Sequence, residues 1–285
     1  MEHTSLLERI LRGVAVSAIL AFFLFPIFWI FLMSFQTNEQ VLRIPPSLFF
    51  EPTTINYTSL ITGKLQTAAG SLDLAFMQNL WNSVLLSTCS VALALLLGVP
   101  AAYAFARFKF PLSEDIAFTL LSFRFAPPLL VLLPLALYFQ DIGLNDTYIG
   151  LIWIYQLIAL PLILWIVRGY FEDISPDIEY AYRIAGHSWL QTFTRIAIPL
   201  ARPGIAAAGL LAFIFCWNNF VFALILASAD KQPVTVGALA FVTASGIQYG
   251  QIAAAIVLSV TPTLALALYA QRYLVEGLSL GAVKG

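Results

Sequence analysis

Groups capable of chemistry are few in this chain, and three stretches hold them. "LLSFRFAPPLL" sets Arg124 inside an apolar run. "FCWNNFVFALIL" sets Trp217, Asn218 and Asn219 side by side in another. "EYAYRIAGHSWLQTFTRIAIPLARPG", residues 179–204, is amphipathic and carries Arg183, Arg195 and Arg202 between two apolar runs. An arginine at the centre of a bilayer costs about 2.5–3.5 kcal/mol or more, so it faces a bundle interior or a watery cavity, or else snorkels to the interface. Two amides beside an indole suit a polar, uncharged solute such as a sugar, by hydrogen bonding and stacking; bonding between helices is the alternative use. On one continuous helix the two amides point about 100° apart. At least one of them then meets a neighbouring helix or a cavity.

Other chemistries lack their residues. The sequence has no GxxxxGKS or GxxxxGKT phosphate loop, no HExxH and no GxSxG nucleophile elbow. ATP hydrolysis by the P-loop route is therefore excluded on this chain, which reads as a non-enzyme without a bound cofactor or metal. His3 and His187 are isolated, and Cys89 and Cys216 fall in separate apolar runs as small buried hydrophobes. Carboxylates are missing from the interiors of the apolar runs, which argues against an ion-coupled transporter built on buried acids.

The elements that position these groups follow from composition. Of 285 residues, 60% are hydrophobic and only 10% charged, with mean hydropathy +0.88, which predicts an all-α, multi-pass membrane protein. A net charge of −1 gives no reason to expect a nucleic-acid partner. A span needs about 20 apolar residues. Six stretches qualify: 13–35, 83–106, 115–139, 148–168, 204–228 and 251–271. The first, "GVAVSAILAFFLFPIFWIFLMSF", is too long for a signal-peptide core and lacks a following cleavage site. Residues 1–12 then form a short N-terminal segment and 13–285 a single membrane domain, with a polar loop at 169–203 and a tail at 272–285.

Lysine and arginine counts orient the spans. With the N-terminus cytoplasmic, Arg9, Arg12, Arg107, Lys109, Arg168, Arg183, Arg195, Arg202, Arg272 and Lys284 lie inside, and only Arg43, Lys64 and Lys231 outside. Both termini and the 169–203 loop are therefore expected in the cytoplasm. Prolines fall in five of the six spans (Pro26, Pro100, Pro127 with Pro128 and Pro134, Pro161 and Pro262), which predicts kinks. The longest connection, about 36–82, contains "RIPPSLFFEPTTINYTSL", where Pro45, Pro46 and Pro52 forbid a long helix. It reads as an external cap over the spans, or as a contact surface for an external partner.

Helix punctuation marks the polar loop. In "ISPDIEYAYRIAG", Ser175 is an N-cap, Pro176 suits the first helical position, Asp177 favours the positive helix end, and Gly186 offers a left-handed stop. Ser188 caps a second helix from Trp189. A helix of about ten residues is marginal in water alone and needs a surface to pack on. Ile178, Ala181, Tyr182 and Ala185 share one face by their i, i+3, i+4, i+7 spacing. Alanine and tyrosine anchor poorly in lipid, and the charge is mixed, so a protein socket suits this face better than headgroups.

Here the sequence resembles a family. Gly186 followed by "IAIPL" is similar to the EAA loop of permease subunits in binding-protein-dependent ABC importers, which reads E-A-A, three residues, G, then I-x-L-P. "GVPAAYAFARFKF", "WNNFVFALIL" and the tail "RYLVEGLSLGAVKG" resemble the carbohydrate branch, specifically its maltose-type second permease, over most of the chain. The resemblance implies a coupling helix at 176–186 that docks on an ABC ATPase dimer. It also implies pairing with a second permease subunit, solute delivery by an extracytoplasmic binding protein, and ATP with Mg bound only on the partner ATPase. In some relatives the tail reaches the ATPase interface. By the same resemblance the coupling residues are Asp177, Glu179, Tyr180, Ala181, Tyr182, Arg183 and Gly186. The match departs from the motif at its centre: Tyr180, Ala181 and Tyr182 occupy the Glu-Ala-Ala positions, and Ala185 the usual acidic one. Glu179, one position early, is the substitute expected for the docking carboxylate.

The resulting expectation is a multi-pass bacterial inner-membrane permease subunit for a sugar or sugar-like solute, with Arg124, Trp217, Asn218 and Asn219 as candidate lining residues. A secondary transporter or channel, an ABC permease for another solute, and a membrane scaffold remain as rivals.

Overall fold

The computed structural model describes residues 6–46, 48–67, 70–125, 128–243 and 246–281. His3, Pro127 and Lys284 lie outside them, as does the end of the tail. The described chain divides into two compact units, one running to Met77 and including Ala238–Val260, the other holding Gln78–Gly237 and the chain from Thr261.

The first unit opens with α1 (Leu6–Met33), a 28-residue apolar helix whose 18-residue most apolar window is 0% buried. The connection that follows holds α2 (Asn38–Val41), α3 (Ile55–Thr62) and a hairpin of β1 (Lys64–Thr67) with β2 (Gly70–Asp73). The prolines do keep helices short here. Polar side chains make the order: Thr37 and Gln40 form a reciprocal capping box, and buried Asn56 donates to the carbonyls of Ser34 and Gln36 at 2.9 and 2.8 Å.

The second unit carries the candidate site. Its first helix, α4 (Phe76–Arg107), is followed by α5 (Ser113–Ser122), a 3₁₀ turn at Phe123–Phe125, and α6 (Pro128–Asp141). Next come α7 (Tyr148–Ile154) and α8 (Gln156–Asp173), which bend by 42° at Tyr155. The polar loop forms α9 (Pro176–Ile184) and α10 (Trp189–Thr192); a π-helical turn at Phe193–Ala197 leads into α11 (Ile198–Trp217), and α12 (Val221–Leu226) and α13 (Val234–Gly237) follow. After a short pair of strands, β3 (Val242–Thr243) and β4 (Gly246–Ile247), the last helix α14 (Tyr249–Gly281) crosses from the first unit into the second.

Among the described residues, four helices are long and apolar enough to cross a membrane, or five if the bent pair counts as one. The expected third span is not one helix but α5, the 3₁₀ turn and α6. Pro128 begins α6, where its missing N–H costs nothing. The expected fifth span also breaks: α11 stops at Trp217, and Asn218–Phe220 separate it from α12. Cys216 is buried as expected, whereas Cys89 is exposed on α4.

Packing around α8 and α11 holds the unit together. A Cβ on Gly204 would lie 2.2 Å from the Tyr170 ring, so the absent side chain lets the two helices approach. Ile163 and Val167 of α8 and Ala201, Ala208 and Ala212 of α11 are fully buried.

Candidate functional site

Three irregularities in the helices converge on one cavity. The 3₁₀ turn supplies Phe123 and Arg124, the start of α8 supplies Leu157 and Ile158, and the end of α11 with its break supplies Phe215, Asn218, Asn219 and Phe220. The cavity measures about 380 Å³. Irregular backbone at membrane depth is tolerated where it is buried in protein or lines a wet cavity, because lipid cannot satisfy its polar groups. Pro161 adds to this, since it has no N–H to offer the carbonyl four residues earlier, that of the lining residue Leu157.

Arg124 answers the question its position raised: it faces this cavity. Its guanidinium lies over the Phe215 ring, 4.2 Å from the centroid, and its Nη1 is buried without a hydrogen-bond partner. Asn218 donates from Nδ2 back to the Ile214 carbonyl at 2.8 Å, which caps the end of α11. Asn219 offers its own carbonyl to Thr235 Oγ1 at 2.8 Å, while its Oδ1 is buried and unpartnered. The sequence sets the two amides on one continuous helix; instead they form the break between α11 and α12. Trp217 is a correction. It is 5% exposed and stacks on Phe213 at 5.6 Å, one turn back on α11, and does not line the cavity. Phe215 is the α11 aromatic that lines it, a residue that apolar patterning cannot separate from its neighbours.

The polar loop is built as its punctuation predicts. Ser175 Oγ accepts from Asp177 N–H at 3.3 Å, and Pro176 opens α9. Gly186, at φ +94°, takes the left-handed turn that a side chain would resist. Ser188 and Gln191 then form a capping box for α10. Tyr182 stacks on His187 at 3.9 Å and 13°, and Arg183 lies 3.6 Å over the Trp189 ring, so the residues on the two sides of Gly186 clasp each other. Ile178, Tyr180, Ala181, Ile184 and Ala185 are exposed on the other side of α9, with Ile184 87% accessible.

Glu179 does not stand on that exposed face, where a docking carboxylate was expected. It is 2% exposed, paired with Arg107 at 2.8 Å and bonded by Tyr103 Oη at 2.7 Å. Arg107 also donates to the Ile174 carbonyl at 3.0 Å, just before α9 begins. The reason is helical phase: Glu179, Tyr182 and Arg183 lie at i, i+3 and i+4 and turn inward together. Around them Tyr103, Phe171 and Phe193 pack with ring centroids 4.9–6.4 Å apart. The π turn at Phe193–Ala197 carries this seat directly into α11 and on to the cavity.

The family described as binding-protein-dependent transport system inner membrane component matches residues 94–279, which takes in α9, the π turn and the cavity. The probable ABC transporter permease protein y4oR of Sinorhizobium fredii is 33% identical over 285 residues, spanning 99% of this chain and 98% of that one. The trehalose/maltose transport system permease protein MalG of Thermococcus litoralis is 31% identical over 281 residues, 98% of each chain. A chain in the crystal structure of a bacterial ABC transporter involved in the import of the acidic polysaccharide alginate has the same fold, with a TM-score of 0.76 over 96% of this chain and 99% of that one at 24% identity. A family match over more than half the sequence, with relatives above 30% identity along nearly all of it, places this chain among the inner membrane components of binding-protein-dependent transport systems.

Proposed function

We propose that this chain is one permease subunit of an ATP-driven importer for a sugar or sugar-like solute, of the maltose type, and that α9 is its coupling helix. The observation that carries the reading is the continuous path from α9 through the π turn and α11 to the broken-helix cavity. A partner that moves α9 moves the helix whose end forms the cavity wall. The trehalose/maltose relative supports the solute class.

In this reading a second permease subunit completes the pathway and an extracytoplasmic binding protein delivers the solute. An ABC ATPase dimer, carrying ATP and Mg, receives the exposed face of α9 in a groove, as amphipathic helices do. Both termini and the 169–203 loop face the cytoplasm by the ten-to-three distribution of Lys and Arg. Coupling contacts come from Asp177, Tyr180 and Ala181, with Tyr182, Arg183 and Gly186 shaping the loop. Arg124, Asn218 and Asn219 line the solute path.

A cysteine at Ala181 is expected to crosslink to the partner ATPase in the assembled importer, and deletion of 176–186 to abolish ATP-coupled uptake. Uptake that persists after the deletion would sink the reading. Solute flux through the purified chain alone, without an ATPase, would favour a secondary transporter or channel.

A further inference from the structure

The cavity holds a cation without a counter-charge. Arg124 makes no ion pair among the described residues, and its Nη1 is buried with nothing to donate to. The surrounding wall is largely apolar: Val131, Leu157, Ile158, Phe220 and Phe222. Phe215 covers one face of the guanidinium at 4.2 Å, which leaves the edge, where all the N–H donors lie, to meet a ligand. A ring face offsets only a small part of the cost of an uncompensated buried charge. The neighbouring Asn219 Oδ1 is a buried acceptor, also unfilled. The site thus offers a forked cationic donor and a vacant acceptor beside an apolar wall, in one space large enough for a small ligand.

We propose that this cavity selects an anionic sugar, with Arg124 binding its acidic group in the two-point manner that fits a carboxylate, as in a uronic acid. Asn219 accepts from a ring hydroxyl, and the apolar wall of Val131, Leu157 and Ile158 meets the sugar's C–H groups. The proposal rests on the sugar-permease reading and narrows it. A neutral sugar would fill the acceptor but leave the positive charge uncompensated.

The test uses the full chain assembled with its importer partners in lipid nanodiscs, with D-glucuronate and D-glucose as probes and dissociation constants read by NMR titration. The expected result is binding of D-glucuronate about tenfold tighter than D-glucose, the scale of one charge-assisted hydrogen bond. Arg124→Gln brings the two affinities together, and Arg124→Lys, which keeps the charge and loses the fork, retains part of the preference. Equal binding of both sugars by the native protein overturns the anionic proposal and leaves the sugar reading standing. A preference that survives R124Q overturns the role of Arg124, and failure of both sugars to bind overturns the proposal together with the sugar reading of the cavity. Should R124Q not assemble, the native ratio and R124K decide.

Discussion

The carboxylate of Glu179 meets the guanidinium of Arg107 at 2.8 Å with both side chains under a tenth exposed, and this pair fastens α9 to the end of α4. A buried pair is weak evidence for net stability, but removing one partner strands the other charge. Arg107→Ala is therefore expected to destabilise the α9 seat by about 3–5 kcal/mol, seen as lost hydrogen-exchange protection from Ile174 through Ile184. Glu179→Gln, which removes the charge and keeps the shape, is expected to cost less. Equal protection in R107A and the native protein would show that the aromatic seat alone holds α9.

The two tyrosines at the departed motif positions have different jobs. Tyr180 is 53% exposed, whereas Tyr182 stacks on His187. Tyr180→Ala is expected to leave the fold and its thermal unfolding unchanged while lowering ATP-coupled uptake. Tyr182→Ala is expected to loosen the turn at Gly186 by roughly 1 kcal/mol, read as faster exchange at Gly186 and His187. Identical behaviour of the two variants would contradict this division.

Gly204 is required by its neighbour. A methyl group there would sit 2.2 Å from the Tyr170 ring, and ring carbons inside a helix pair have little room to yield. Gly204→Ala is expected to cost about 1–3 kcal/mol in detergent unfolding, and Tyr170→Ala in the same chain to recover part of that loss. Without recovery, the strain would have to lie elsewhere along α11.

The bounds of α9 could be read in the sequence because Ser175, Pro176 and Gly186 each act on the backbone next to them. The burial of Glu179 could not, since its partner Arg107 lies 72 residues away and only tertiary packing brings them together. The break after Trp217 was hidden for another reason. "NNFVFALIL" stays apolar enough to continue a span, and what marks the end of the helix is local: Asn218 Nδ2 adds a second bond to the Ile214 carbonyl and the Asn219 N–H turns to Cys216, details that hydropathy does not register. Arg124, Asn218 and Asn219 were recognisable as polar groups in apolar runs. Leu157, Ile158 and Phe215 were not, because a cavity wall and a lipid-facing wall use the same residue types.

At the other end of the second unit, Asp146 ties two connections. Its carboxylate accepts from the Ser228 hydroxyl at 2.7 Å and from the Ser228 backbone N–H at 2.8 Å, with Lys231 Nζ 3.5 Å away. The hydroxyl bond first, and the backbone bond next, hold its pKa below the ordinary aspartate value of 3.8. A carboxylate whose folded pKa is depressed contributes stability that is complete above the unfolded value and disappears as pH falls through the folded one. The tether between residues 142–147 and 228–231 is therefore expected to be intact at neutral pH and to open on acidification below the ordinary aspartate range. Limited proteolysis of the solubilised chain at stepped pH would report it as cleavage appearing in these two connections. Asp146→Asn keeps the size and loses the charge, so its cleavage is expected at every pH and without the acid step. An acid step of the same size in D146N would assign the effect to Asp230, which shares Ser228 and Lys231 with it.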